Sequence, residues 1–141
     1  MTTPLWALLA FTLWTLIVLA TGVGIYRWWL ILGGKAQLNA FPADEPHGPP
    51  FYRRIMRAHA NCIENLPVFG ALVFIAYATD LRSPMFDALS AAVPCARVVQ
   101  SLCHMSSGSN LAVGLRFSFF SVQLVAFFAM AGVIVGQALG W

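Results

Sequence analysis

Arg54, Arg57, Asn61, Glu64 and Asn65 carry the chemistry most visible in this chain. Placed on a helix at about 100° per residue, they share an arc of about 100° and form one polar face. Arginine suits carboxylates, because its planar fork donates two parallel hydrogen bonds and never loses its proton. Asn61 offers both a donor and an acceptor. Glu64 needs a cation, which Arg57 on the same face, an arginine of another helix, or the ammonium group of a ligand can supply. Such a face complements a small anionic ligand, and a zwitterionic peptide with several carboxylates better than a simple hydrophobe. The competing reading is an internal Arg–Glu–Asn network that ties helices together. His59 points roughly the opposite way. A helix that is polar on two sides at one depth belongs between two neighbours, which favours an oligomer with a site near a subunit boundary.

The elements that must position these groups are almost wholly apolar. Of the 141 residues, 60% are hydrophobic and 9% charged, against about 25% charged in soluble domains. Ionisable groups entering a bilayer span are expensive and mark function by default. Residues 5–26 and 117–139 are uncharged and long enough to span at about 1.5 Å per residue. Residues 65–79 become a span once the polar turns from Ile55 onward are added. Residues 85–102 are broken by Asp87, Pro94 and Arg97. The pattern predicts an all-α, integral-membrane four-helix bundle, a single domain over 1–141 with helices at about 5–32, 53–79, 84–104 and 111–139. The first apolar run lacks a preceding basic residue and is too long for a signal peptide. The net charge of +3 is no nucleic-acid footprint, since the basic residues sit at span ends and within spans. Cys62, Cys95 and Cys103 show no CxxC and read as small apolar fillers. With the three histidines they show no metal-ligand spacing.

Breakers divide the chain. Gly33–Gly34 ends the first helix, and Pro42, Pro46, Gly48, Pro49 and Pro50 make 39–50 a non-helical loop in which His47 is solvated. Pro67 should kink the second helix. Residues 80–84 read as a tight turn and 106–110 as a short flexible connection. Gly132, Gly136 and Gly140 flatten one face of the last helix for close packing within or between subunits. Lys35, Arg53 and Arg54 beside the first connection, and Arg116 at the end of the third, place both connections in the cytoplasm and both termini outside. Trp28 and Trp29 read as interfacial anchors.

The run GPPFYRRIMRAHANCIENLPVF, residues 48–69, resembles the MAPEG family, the membrane-associated proteins of eicosanoid and glutathione metabolism. The four-helix plan and the chain length agree, and the loop NAFP (39–42) looks like bacterial members, of the microsomal glutathione transferase kind. The resemblance implies a homotrimer in a bacterial inner membrane, binding glutathione as co-substrate between adjacent subunits near the cytoplasmic side. It also implies roles. Arg57, Asn61 and Glu64 match glutathione-binding positions, and His59 a position filled by histidine or glutamine that contacts the same ligand. Arg54 and Arg97 fall on further basic positions, and Lys35 replaces an arginine near the end of helix one. Arg116 is the candidate for the helix-four arginine that stabilises the glutathione thiolate, displaced by about one position. Tyrosines that face the site in eicosanoid-type members correspond to Gln100 and His104, and His104 can hydrogen-bond the ligand.

The resemblance thus implies a membrane-bound glutathione transferase or peroxidase, with a role in detoxification. It would activate the thiol and present it to a lipophilic electrophile or lipid hydroperoxide in the bilayer. The alternative is a non-catalytic membrane scaffold that binds lipid or glutathione, which the displaced arginine and the absent tyrosines favour. A small transporter with Glu64 as proton carrier fits less well, because Glu64 follows Arg54 and Arg57 on one stripe.

Overall fold

Proline and glycine open and close the helices. Proline falls within the first turn of three of them, where its missing N–H is an orphan donor in any case. The computed structural model describes residues 1–41 and 47–140, so Pro42 and Pro46 of the proline-rich loop lie outside the described residues. Four long helices follow one another: α1 (Thr3–Leu32), α2 (Pro50–Ala78), α3 (Pro84–Ser106) and α4 (Asn110–Ala138). The side chain of Ser83 accepts from the Phe86 N–H to cap α3, and that of Ser109 accepts from the Ala112 N–H to cap α4. The connection before α4 therefore has a defined start. Asp80 turns the chain between α2 and α3 with φ of 49°, a conformation in which Asp is better tolerated than most residues.

α1, α2 and α4 are long and apolar enough to cross a membrane. The chain is an integral membrane protein with an all-helical fold. α3 differs. Its 23 residues reach about 34 Å, yet its composition is too polar for that class. Asp87, Pro94 and Arg97 interrupt its apolar run, and the helix nevertheless continues through all three. It can do so because its polar side chains turn inward. Ser90, Arg97, Gln100, Ser101 and His104 are buried against the neighbouring helices instead of facing lipid. α2 likewise continues through Pro67, which leaves the Ile63 carbonyl without its helical donor.

α3 packs most extensively on α4, then on α1 and α2. The core between them is apolar towards the termini, where Phe11, Phe69 and Phe127 form a chain of ring contacts at 5.8 and 6.1 Å. Towards the other end it becomes polar, through Arg97, Gln100, Ser101, His104 and Gln123. Buried polar groups need partners in proportion to their desolvation, so this end of the bundle is where specific contacts must be made.

A π-helical segment, Val18–Gly24, interrupts α1, with the Ile25 N–H donating to the Ala20 carbonyl five residues back. Such wide turns inside α-helices recur at functional sites. Here Gly22 lies so close to α2 that a Cβ would collide with Ile55 Cγ2. Gly22→Ala is expected to lower stability by about 1–3 kcal/mol through this overpacking. Thermal unfolding in detergent checks it, and Ile55→Ala in the same chain should recover part of the loss.

The glycine stripe of α4 has no such neighbour. A Cβ added at Gly132 or Gly136 meets nothing within 4 Å, so their small size serves no packing within the chain. Cys62 is buried, Cys103 partly so, and Cys95 is exposed on α3, so only the first is a core filler.

Candidate functional site

The start of α2 is locked to the end of α1. Tyr52, only 1% exposed, stacks on Tyr26 at 4.3 Å between ring centroids, and its hydroxyl accepts from Arg27 Nε at 2.6 Å. His47 lies 5.4 Å from the same ring and 5.8 Å from Phe41, so it is packed, not solvated as the sequence suggested. Gly48 has φ of 78°, and a Cβ there would stand 2.8 Å from Tyr52 Cδ1. The glycine opening residues 48–69 is thus required twice, by conformation and by closeness. This lock sets the rotation of α2 and with it the direction of the polar stripe.

On that stripe Arg57 and Glu64 are exposed at the surface of the single chain, while Arg54 and Asn61 are partly buried. The Asn61 carbonyl accepts from Asn65 Nδ2 at 2.8 Å, so Asn65 is engaged locally and the Asn61 amide is the one presented. Arg54 Nε donates to the Met105 carbonyl at 3.3 Å, where it meets the negative end of α3. Among the described residues the one ion pair is Asp80–Arg82 at 2.7 Å, exposed at the opposite end. Arg57 and Glu64 therefore have no ion-pair partner among the described residues. An internal Arg–Glu network would have paired them.

His59 faces the other way, towards the Thr15 backbone of α1. One of the two neighbours expected for α2 is thus α1 of the same chain. Between α1 and α2 runs a groove of about 410 Å³ lined by Leu19, Val23, Arg27, Met56, His59, Ala60, Ile63 and Glu64. Glu64 borders both the groove and the stripe. Apolar walls with a few convergent polar groups are the usual make-up of a ligand site.

Arg116, on the second turn of α4, points back at α3. Its Nη1 lies 2.6 Å from His104 Nδ1, and its carbonyl accepts from Gln100 Nε2 at 3.3 Å. Gln123 Nε2 in turn donates to Gln100 Oε1 at 3.0 Å. Arg54 and Arg57 lie within electrostatic reach of His104 as well. Three arginines from two helices and the end of α3 thus converge at one pole of the bundle.

Arg97 is placed differently. It is 0% exposed, its guanidinium lies 5.3 Å from the Phe11 ring, and its three side-chain nitrogens have no hydrogen-bond partner among the described residues. Glu64 is near enough for its charge to act on it. Its charge is felt at the stripe from inside the bundle. Lys35, just beyond the end of α1, is exposed, with its ammonium 4.2 Å from the Trp29 ring.

A model of the MAPEG family matches residues 2–136, nearly the whole chain. The chain belongs to the MAPEG family. No curated protein matches it at a significant level. For this MAPEG protein the family establishes a membrane protein linked to glutathione or eicosanoid metabolism. The helix-two run of residues 48–69 that carried the resemblance lies inside the matched region.

Three residues escaped the sequence reading of this MAPEG chain. Arg27 looked like an interfacial flank, yet it is bonded to Tyr52, stacked 5.3 Å from Phe41 and exposed to the groove. Its signal was a charge immediately following an uncharged span. Tyr52 had no signal beyond its place in the motif. Gln123 is 0% exposed, and an amide inside an apolar membrane helix is itself a sign of an internal partner.

Proposed function

We propose that the protein is a glutathione-dependent transferase or peroxidase of the membrane, acting at the pole where Arg54, Arg57, His104 and Arg116 converge. That convergence of three guanidinium groups carries the reading. Glutathione brings carboxylates, an ammonium group and a thiol. Arg57 and Arg54 suit the carboxylates, Glu64 the ammonium, and Asn61 the peptide groups. Arg116 is left for the thiol, whose ionised form is the nucleophile.

In conjugation the thiolate sulfur forms a bond to an electrophilic carbon, and the leaving group departs with the electron pair. In peroxide reduction the thiolate attacks the outer oxygen of a hydroperoxide. The O–O bond breaks, the alkoxide takes a proton to leave as the alcohol, and a second glutathione reduces the resulting sulfenic acid to water and the disulfide. No protein redox centre is needed for either. The apolar groove beside Glu64 supports a co-substrate drawn from the bilayer. Exposure of Arg57 and Glu64 on the single chain supports a site completed by a neighbouring subunit of a homotrimer. The basic pole would face the cytoplasm by the positive-inside rule.

A ligand-presenting scaffold is the second reading, supported by Gln100 and His104 standing where tyrosines were expected. The deciding experiment titrates the detergent-solubilised protein with glutathione while following the ultraviolet absorbance of the thiolate. A saturable thiolate signal at neutral pH is expected. Saturable binding of glutathione as the thiol would transfer the protein to the scaffold reading, and no binding would remove every glutathione-dependent reading and leave the stripe to structure or to another anion.

A further inference from the structure

Gln100 and His104 lie one turn apart on α3, and both hold the same residue of α4. Gln100 Nε2 donates to the Arg116 carbonyl at 3.3 Å, and His104 Nδ1 meets Arg116 Nη1 at 2.6 Å. The Gln100 amide is itself oriented by Gln123, which is 0% exposed and also donates to the Phe119 carbonyl at 2.8 Å. Arg116 is thus gripped at its backbone and at its head by one face of α3. A guanidinium has donors only, so His104 Nδ1 must be the acceptor and the ring proton must sit on Nε2. Protonation of Nδ1 would replace that lone pair with an N–H and set two cations against each other.

We propose that His104 is a positioning residue that fixes the Arg116 guanidinium only while its imidazole is neutral, so that the geometry of the arginine is conditional on pH. The proposal rests on the reading of Arg116 as the group that stabilises the thiolate. The charged groups acting on His104 are Arg116 from α4 and Arg54 and Arg57 from α2; among the described residues α1 contributes none. All three are permanent cations, so His104 is the member of this cluster whose charge can change with pH. A flexible arginine left untethered would sample many rotamers, and the loss would fall on the chemical step and not on ligand binding. His104 is only 9% exposed, which suits a residue acting through its neighbour more than one reaching a ligand.

Two variants test this in the detergent-solubilised protein, with glutathione affinity by calorimetry and ionisation by thiolate absorbance across pH. His104→Leu is expected to lower the thiolate fraction of bound glutathione, and turnover, by about tenfold, while the dissociation constant stays within about twofold. His104→Asn keeps an acceptor near the Nδ1 position without a titratable proton, and should recover most of the signal lost in the leucine variant. In the wild type the thiolate signal should fall with the steepness of one proton through the titration of the sulfur, and more steeply further towards acid pH, where His104 takes up a second proton. In the asparagine variant it should fall with the steepness of one. The proposal is overturned if His104→Leu weakens glutathione binding by as much as it lowers turnover, since His104 would then touch the ligand. Equal steepness in wild type and His104→Asn at the acid end of the titration overturns it too, and that comparison stands alone if the leucine variant does not fold. Wild-type protein that binds glutathione only as the thiol ends the reading of Arg116 itself, before any variant is compared.

Discussion

Arg116→Ala is expected to lower turnover about a hundredfold while glutathione still binds. A free thiol ionises near about 8.5, and bringing that two units down requires about 2.7 kcal/mol of preferential stabilisation of the thiolate. One guanidinium in a partly desolvated site is sufficient for this, provided it is held in place. Arg116 is so held, by His104 at its head and Gln100 at its carbonyl. The alanine change removes the charge and leaves the stripe on α2 untouched. Calorimetry should therefore show a nearly unchanged dissociation constant, and the thiolate absorbance of bound glutathione should disappear. Arg116→Lys keeps a cation but reduces the planar fork to a point charge on a differently shaped stem, and should recover only part of the signal. If both variants turn over like the wild type, another group activates the thiol. If none of the three turns over and all bind glutathione as the thiol, the protein is a scaffold.

The second large effect belongs to Arg57. Arg57→Ala is expected to raise the dissociation constant of glutathione about thirty- to a hundredfold, and Glu64→Gln about tenfold, in accord with the loss of charge-assisted hydrogen bonds. Distance supports the pairing of these two residues with one ligand. Seven residues of helix separate them by about 10 Å along the axis, and an extended tripeptide spans roughly 10 Å. A carboxylate at one end and an ammonium at the other would meet Arg57 and Glu64 at the correct separation. Because both side chains are exposed and have no ion-pair partner among the described residues, neither substitution should change unfolding in detergent by more than about 0.5 kcal/mol. Calorimetric titration with the two single variants and the double variant measures the effect and any coupling between them. An unchanged dissociation constant for both would move the ligand away from this stripe, leaving the pole around Arg116 without its peptide anchor.

The contrast between Arg57 and Arg97 shows what a linear reading can and cannot reach. Both are basic residues in motif-like surroundings, and the sequence treats them alike. The structure puts one at the surface of α2 and encloses the other completely against Phe11. Lys35 and Arg27 form a second such pair. Lys35 was the candidate near the end of helix one, yet Arg27 is the residue bonded to Tyr52 and bordering the groove with His59 and Glu64. Helix three carries the same lesson at the level of a whole element. Its proline, aspartate and arginine interrupt the apolar run without saying where they face, and α1, α2 and α4 surround its polar face.

What the chain determined by itself is everything that depends on local periodicity and composition. A chain with 9% charge and long uncharged runs has to lie in a bilayer. A backbone in lipid must satisfy its hydrogen bonds within each segment, so those runs must be helices. Helical periodicity then fixes that Arg54, Arg57, Asn61 and Glu64 share a face. The tertiary structure alone decided which side chains from separate helices meet. Arg116 with His104 and Gln100, Arg27 with Tyr52, and Arg54 with the end of α3 are contacts across 12 to 51 residues of sequence. They depend on how each helix is rotated and where it approaches its neighbours, and that is set by packing details such as Gly22 against Ile55 and Gly48 against Tyr52.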